Sequence, residues 1–520
     1  MAIDVDVAIV GFGPCGAVAA GLLGGHGIRT WVCDKSTEIY NKPRAFALDH
    51  EIMRVFQQLG IHDRILDHAE PFTPSEYYGV DGQLIKRFCS AEPPFPMAFP
   101  PSLVFNQPAA EQVLRAHVAT LASVQIALGH EVTDLTQHGD SVCLHVHSAT
   151  AGAAQVRARY VIACDGASSL VRSRVGIALD DLGFDQPWLV ADVKVHPAAA
   201  AKLPPVSVQY CEPQRPSTYL VGPGGHRRWE ISINAGEDPR QLATPEGTWK
   251  LLARWITPAD GTLWRQASYR FHALVASRWR AGQVFVAGDA AHQQPPFLGQ
   301  GMCQGIRDVA NLAWKLQAVL QSHAPDALLD SYGLERQAHV RALTSRIKEI
   351  GALVGERDLA TARARDRALL AECGGVVPSV PRQEVQPALE VGLLSPDRAQ
   401  GVGSIFPQPW LRSASAPVRM DTVCGSGWRV VLAPGADLQL TPGAHKHPAL
   451  RVIALGSAAH EECDGVAAQW LARHDCLAAI VRPDHYVYGT AATAAALTRQ
   501  LDGLQAIFTQ GTLHASSPLS

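Results

Sequence analysis

Three closely spaced glycines carry the first chemical signal in the chain. Gly11-Phe12-Gly13-Pro14-Cys15-Gly16 follows the β-rich run Val5-Asp6-Val7-Ala8-Ile9-Val10. It precedes the small-residue stretch Ala17-Val18-Ala19-Ala20-Gly21-Leu22-Leu23. Strand, glycine turn and helix in that order form a cradle for a pyrophosphate. Gly11 permits the tight turn, Gly13 lets the backbone approach the phosphates, and Gly16 lets helix and strand pack closely. The N-terminus of that helix then offers free N–H groups and the positive end of its dipole, with Pro14 and Cys15 of the turn also expected on the cofactor. A second strand, Thr30-Trp31-Val32-Cys33, ends in Asp34-Lys35, where such folds place a carboxylate on ribose hydroxyls. The expected ligand is a dinucleotide.

The glycine turn alone does not say which dinucleotide. Two later segments of the same strand-to-turn kind narrow it. One is Tyr160-Val161-Ile162-Ala163-Cys164-Asp165-Gly166. The other is Val284-Phe285-Val286-Ala287-Gly288-Asp289, continuing through Pro295-Pro296-Phe297-Leu298-Gly299-Gln300-Gly301 into a helix expected over Met302–Leu320. In this order, over roughly residues 5–340, the chain resembles the group A flavoprotein aromatic hydroxylases, the family of p-hydroxybenzoate hydroxylase and phenol hydroxylase.

That resemblance implies FAD as the bound cofactor. It assigns Asp289, after Gly288, to the ribityl chain, and Asp165 with Gly166 to FAD and the nicotinamide cofactor. It also places Pro296, Gly299, Gly301 and Met302 beside the flavin. A carboxylate at a strand's C-terminal end is well placed to accept ribityl hydroxyls, and a helix starting at Gly301 can stabilise negative charge on reduced flavin. Lys42-Pro43-Arg44-Ala45 and Asn106-Gln107-Pro108 resemble two further segments of the family, so Arg44 and Gln107 are expected on FAD. One departure is Met302-Cys303, where many relatives carry an Asn after Leu or Met.

These motifs need elements to hold them. The expected fold is α/β: a Rossmann-like FAD-binding domain with an inserted antiparallel β-sheet substrate domain, the p-hydroxybenzoate hydroxylase-like arrangement, plus a C-terminal thioredoxin-like domain. Residues 1–180 form the first part of the FAD-binding domain and 281–400 the second part with a helical linker. Residues 181–280, with period-two runs such as Arg228-Trp229-Glu230-Ile231-Ser232-Ile233, read as the substrate sheet. Tyr210-Cys211-Glu212-Pro213-Gln214-Arg215-Pro216 followed by His226-Arg227-Arg228-Trp229-Glu230 resembles the 3-(3-hydroxyphenyl)propionate hydroxylase branch. Residues 401–520 resemble the thioredoxin-like domain of the phenol hydroxylase branch. They contain no Cys-x-x-Cys, so a structural or homodimer-supporting role is expected rather than redox exchange.

Composition fits this picture and excludes others. At 520 residues with 47% apolar and 18% charged side chains, the chain can form several packed units. A net charge of −3 gives no general attraction to nucleic acid, and no apolar run is long enough to span a membrane. The first residues lack a basic stretch ahead of an apolar one, so a cytoplasmic protein is expected. The 11 cysteines are scattered, which suits reduced thiols, and no Cys/His cluster has the spacing of a metal site.

The resemblance implies that NADH or NADPH reduces FAD, that O2 then forms a flavin C4a-hydroperoxide, and that one oxygen enters a phenol ortho to its hydroxyl. The candidates for handling the phenol are Asp49 and His50, which follow Arg44 closely, and Tyr219 and Arg215 in the expected substrate sheet. Pro296 is expected beside the reacting ring. Arg215 is a candidate clamp for a substrate carboxylate. Two alternatives stand beside this reading: a tailoring hydroxylase for a polycyclic or polyketide phenol, and a flavin-binding sensor or scaffold without catalysis.

Overall fold

The computed structural model describes residues 3–436, 438 and 450–510. One sheet explains why the three motifs act together. Its main path runs Arg280–Ala281, Val284–Val286, Gly152–Ala163, Ile3–Val10, Thr30–Asp34, Val124–Leu128. Ile3–Val10 pairs in parallel with Gly152–Ala163 and Thr30–Asp34, and Gly152–Ala163 pairs in parallel with Val284–Val286. Val10 lies opposite Ala163, and Ala163 opposite Val286. The turns that follow these strands therefore leave from neighbouring C-terminal ends, where open α/β sheets bind ligands. Val7, Ala8, Ile9, Val161 and Ile162 are buried, as a continuous apolar run covered on both faces must be.

Helix Pro14–Gly25 is apolar nearly all round and buried through most of its length. Pro at its first position loses only an N–H that has no intrahelical partner. It packs against helix Gly301–Gln321, which starts one residue earlier and ends one later than expected. Gly305 permits the crossing: a Cβ there would lie 2.3 Å from Cys15 Sγ and 2.9 Å from Gly288 Cα.

The second sheet has nine strands. Its core is the antiparallel set Gly261–Ala276, Leu179–Val195, His226–Ser232, Ser217–Val221 and Ser207–Tyr210, all close to the expected 181–280. It also recruits Ser75–Tyr78, Leu84–Cys89, His292–Gln293 and Ser379–Pro381 from elsewhere in the chain. Ser75–Tyr78 joins by parallel pairing with Ser207–Tyr210. The outer face of this sheet carries Tyr219, Trp229 and Ile231 against Leu252 and Ile256. The alternate positions face the first sheet's turns.

Beyond the long helix Asp330–Gly355 and helix Leu359–Glu372, a four-stranded sheet closes the fold. Its order is Arg451–Ala454, Arg429–Leu432, Ala478–Val481, Val487–Ala491, with the first pair parallel and the other two antiparallel. It is tied to the remainder by buried charge. Arg482 and Lys315 both meet Glu335, at 2.7 and 2.8 Å, and Arg54 and Arg429 both meet Asp421 at 2.5 Å. All 11 cysteines are free thiols. No helix among the described residues is long and apolar enough to cross a membrane.

Candidate active site

A cavity of about 320 Å³ lies between the turns of the first sheet and the inner face of the second. Its floor includes Gly13, Pro14, Cys15, Gly166, Gly288 and Asp289. The three glycines of the first turn have different surroundings. Gly11 has a φ of +98°, and a Cβ there would be 2.3 Å from the Cys164 carbonyl oxygen. A Cβ on Gly16 would be 1.9 Å from the Gly11 carbonyl oxygen, whereas one on Gly13 would meet nothing within 4 Å. Gly13 is thus open backbone on the cavity wall. No side chain caps helix Pro14–Gly25, and none caps helix Gly301–Gln321. Gly301 and Met302 also border the cavity. Two uncapped helix N-termini at one cavity suit a ligand with two separated sites of negative charge.

The acidic residues of the motifs have different surroundings. Asp289 is exposed on the cavity wall. Its turn is held from behind by Asp308, whose carboxylate accepts from Gly288 N at 2.9 Å, His292 Nε2 at 2.7 Å and Arg336 Nε at 2.9 Å. Burial alone would raise the Asp308 carboxyl, but His292 and Arg336 more than offset it and hold it below the usual range. Asp165 accepts from Val171 N at 3.1 Å, while its second oxygen is buried without a partner. Burial raises its pKa. Asp34 accepts from Phe12 N at 3.0 Å and Ser36 N at 2.8 Å, so it braces the glycine turn; Lys35 beside it is exposed.

Arg44 and Gln107 both border the cavity, and Gln107 Oε1 accepts from the backbone N–H groups of Arg44 and Ala45 at 2.9 and 2.6 Å. The same segment is gripped from the second sheet. Arg228 donates to the Arg44 and Pro43 carbonyls, Arg265 donates to Pro43, and buried Asp192 accepts from Arg228 and from His226. Pro296, Phe297 and Gly299 complete the wall together with Gln294, whose two side-chain polar atoms are buried without a protein partner. Open Gly13 backbone, uncapped helix ends and the orphaned Gln294 amide all fit a bound FAD.

The side chains expected to handle the phenol lie elsewhere. Arg215 is not among the cavity residues; its guanidinium makes an ion pair with Glu237 at 2.5 Å and donates to the Ser232 carbonyl. Tyr219 sits on the outer face of the second sheet with its hydroxyl on the Pro204 carbonyl, because Thr218 and Leu220 take the inward positions of that strand. Asp49 and His50 border a second cavity of about 310 Å³, together with Met97, Val385, Ile405 and Trp470. Asp49 is locked to Arg307 at 2.5 Å and caps helix His50–Gln58. Burial drives the His50 pKa down to about 4, although Asp49 pulls the other way, so the ring is neutral near pH 7.

In their place the structure brings Gln209, Thr218, Arg228 and Glu230 from the second sheet, and Arg382 from the linker, to the main cavity. Arg382 borders both cavities, donates to the Leu298 carbonyl and stacks over Phe72 at 4.2 Å. The sequence shows that these sheet residues share one face, but not that this face lines a cavity. In Arg228-Trp229-Glu230-Ile231, the apolar partners fix one face, so Arg228 and Glu230 must share the other.

Residues 4–347 match the model of the FAD binding domain family, and residues 403–506 match that of the HcaD C-terminal domain. The chain is 36% identical over 505 residues to a probable NADH-specific resorcinol 4-hydroxylase of Rhodococcus jostii (strain RHA1), covering 95% of this chain and 93% of that one. It is 33% identical over 439 residues to a 3-(3-hydroxy-phenyl)propionate/3-hydroxycinnamic acid hydroxylase of Mycolicibacterium smegmatis (strain ATCC 700084 / mc(2)155), covering 82% and 76%. Among solved structures it is similar to the flavin-dependent monooxygenase PieE in complex with FAD and substrate, at TM-score 0.82 and 22% identity over 98% of this chain and 99% of that one. The likeness extends the shared fold across nearly the full length.

Proposed function

Because the chain belongs to the FAD binding domain family and is an FAD-dependent aromatic hydroxylase, we propose that it uses NADH and O2 to hydroxylate a single-ring phenol bearing a meta substituent, ortho to the hydroxyl. The observation that carries the reading is the convergence of three strand-end turns and two uncapped helix N-termini on one cavity roofed by a polar sheet face. The substrate class rests on the relatives. Resorcinol, 3-(3-hydroxyphenyl)propionate and 3-hydroxycinnamic acid all carry a group meta to a phenolic hydroxyl. The nicotinamide assignment rests on the NADH-specific relative.

When bound, FAD supplies the redox chemistry: it takes a hydride from the nicotinamide and activates O2 for transfer to the ring. The residues of this chain bind and orient. The N–H groups at the start of Pro14–Gly25, with open Gly13, hold the pyrophosphate. Asp289 accepts ribityl hydroxyls, and Arg44 and Gln107 hold the cofactor from the side. The start of Gly301–Gln321 stabilises negative charge on the reduced ring system. The second sheet closes the cavity against water. Where the meta substituent is a carboxylate, Arg382 is its partner, since a buried carboxylate needs a cation or several donors.

The test is a screen of monohydroxylated and dihydroxylated rings with the FAD-loaded protein. It is scored by stimulated NADH oxidation and by product mass. The expected hits are resorcinol and 3-substituted phenols, each gaining one oxygen. Turnover confined to polycyclic phenols, or NADH oxidation without product, would overturn the proposal.

A further inference from the structure

We propose that Glu230 is the group that accepts the proton of the substrate's phenolic hydroxyl. The inference deepens the proposed function and rests on the substrate being a phenol. Glu230 lies in the middle of strand His226–Ser232, opposite Thr218 on one neighbouring strand and Val190 on the other. Thr218 lies in turn opposite Gln209. Gln209, Thr218 and Glu230 thus form a polar row across three strands on the face that roofs the cavity, and all three border it.

In this row the Thr218 hydroxyl and the Gln209 amide oxygen are paired with each other, whereas the Gln209 amide nitrogen and the Glu230 carboxyl have no hydrogen-bond partner among the described residues. Thr218 Oγ1 donates to Gln209 Oε1 at 2.6 Å. Arg228 directs its Nε to Asp192 at 2.7 Å and its terminal nitrogens to Asp192 and to the Arg44 and Pro43 carbonyls. His226 donates to the same Asp192 at 2.7 Å. Glu230 is only 3% exposed, no hydrogen bond to its carboxyl is present among the described residues, and its oxygens are not among the fully enclosed unpartnered atoms, so they open onto the cavity. A carboxyl with so little exposure is stabilised by any donor that reaches it from the cavity. A ligand O–H in the cavity would supply the missing partner. Elsewhere on the cavity wall the other ionisable side chains are Arg44, Asp289, Arg382 and the thiols of Cys15 and Cys164. Asp289 belongs to the cofactor side.

The chemistry matches the position. An ionised carboxylate only accepts. The phenol O–H bond breaks, the proton passes to a Glu230 oxygen, and the electron pair stays on the ring oxygen, enriching the ortho and para carbons. Total charge in the closed site is unchanged. When the hydroxylated ring regains its aromaticity, the C–H bond at the carbon that took oxygen breaks, its proton goes to the second oxygen atom of O2, which leaves as water, and Glu230 returns its own proton to the phenolic oxygen. Burial pushes the Glu230 carboxyl up to about 7, opposed by Arg228, reinforced by Asp192 and opposed again by Arg265. A base with a proton affinity near neutrality is better matched to a phenol than an ordinary carboxylate is.

The experiment compares wild type, Glu230→Gln and Glu230→Asp as FAD-loaded enzymes. The substrates are resorcinol and a ring-fluorinated resorcinol whose hydroxyl ionises more readily. FAD content and the flavin spectrum report folding. Glu230→Gln is expected to lose on the order of 10²–10⁴-fold in kcat with resorcinol. It should lose much less with the fluorinated ring at a pH where that phenol is already ionised. Glu230→Asp should retain part of the activity. Wild-type kcat/KM should fall as pH drops below about 7, and this limb needs no variant to fold. Equal losses for both phenols, or a wild-type profile flat from pH 6 to 8, would overturn the role of Glu230. A wild type that hydroxylates no phenol would overturn the proposed function, and the Glu230 role with it.

Discussion

Asp289 and Asp308 show how two carboxylates near one turn take different parts. Asp289 stands exposed on the cavity wall, while Asp308 is fully buried behind it and spends its oxygens on Gly288, His292 and Arg336. Asp289→Ala should weaken FAD binding by about 1.5–3 kcal/mol, the worth of a charge-assisted hydrogen bond, with little change in apoprotein stability. Titration of the apoprotein with FAD measures it, and unchanged affinity would remove Asp289 from the cofactor. Asp308→Ala should instead destabilise the apoprotein by about 3–5 kcal/mol, because Arg336 is left buried without its carboxylate. Thermal unfolding of the two variants separates the roles. At this scale the sequence was legible for the cofactor and poorly legible for the phenol. The glycine spacing encodes backbone geometry directly. Arg215 was visible as a cation, but its partner Glu237 was not, because the strands Ser217–Val221 and His226–Ser232 separate the two in sequence. Glu230 was hidden because alternation separates two faces without saying which is wet, and here the polar face roofs a cavity.

Helix Pro14–Gly25 and helix Gly301–Gln321 meet where Cys15 fits against Gly288 and Gly305. This contact links the pyrophosphate turn to the Gly-Asp turn, so it sets the width of the cavity floor. Gly305→Ala should push the helices apart and cost about 1–3 kcal/mol of stability by overpacking, with weaker FAD retention. Cys15→Ala added to it should recover part of the loss by removing the sulfur, but not all, since Gly288 Cα stays 2.9 Å from the new methyl. No recovery in the double variant would show that the clash is not at Cys15. The order of strands and helices around these contacts followed from the alternation and glycine punctuation of the sequence. The added strands Ser75–Tyr78, Leu84–Cys89 and Ser379–Pro381 did not. Leu84–Cys89 pairs with its neighbour Ser75–Tyr78, but that hairpin enters the sheet only through Ser207–Tyr210, and Ser379–Pro381 only through Leu84–Cys89, pairings distant in sequence.

Across the whole molecule, the C-terminal sheet is held to the cofactor-binding part by charge removed from water. Glu335 meets Arg482 of the C-terminal sheet region and Lys315 of the central helix, with all three side chains fully buried. Burial would raise its carboxyl, but Arg482 and Lys315 outweigh that and lower it to about 2. Its folded pKa lies below the unfolded value of about 4.3. Its contribution is therefore complete above about 4.3 and is lost as pH falls toward about 2. Glu335→Gln should lower Tm at pH 7, with a loss of about 3–5 kcal/mol, and the gap from wild type should narrow between pH 5 and pH 3. A gap independent of pH would contradict this linkage. The C-terminal cysteines Cys424, Cys463 and Cys476 are all free. Their joint replacement by Ser or Ala should leave turnover intact.

In the proposed function, one cavity holds FAD on the turns of the parallel sheet and a phenol under the polar face of the antiparallel one. Single-turnover reaction of the NADH-reduced, FAD-loaded enzyme with resorcinol under ¹⁸O2 tests it most directly. One ¹⁸O atom is expected in a trihydroxybenzene product per FAD oxidised, with the loss of that product in Glu230→Gln exceeding any loss of flavin oxidation. Flavin reoxidation with only hydrogen peroxide formed, for resorcinol and for every meta-substituted phenol offered, would contradict it.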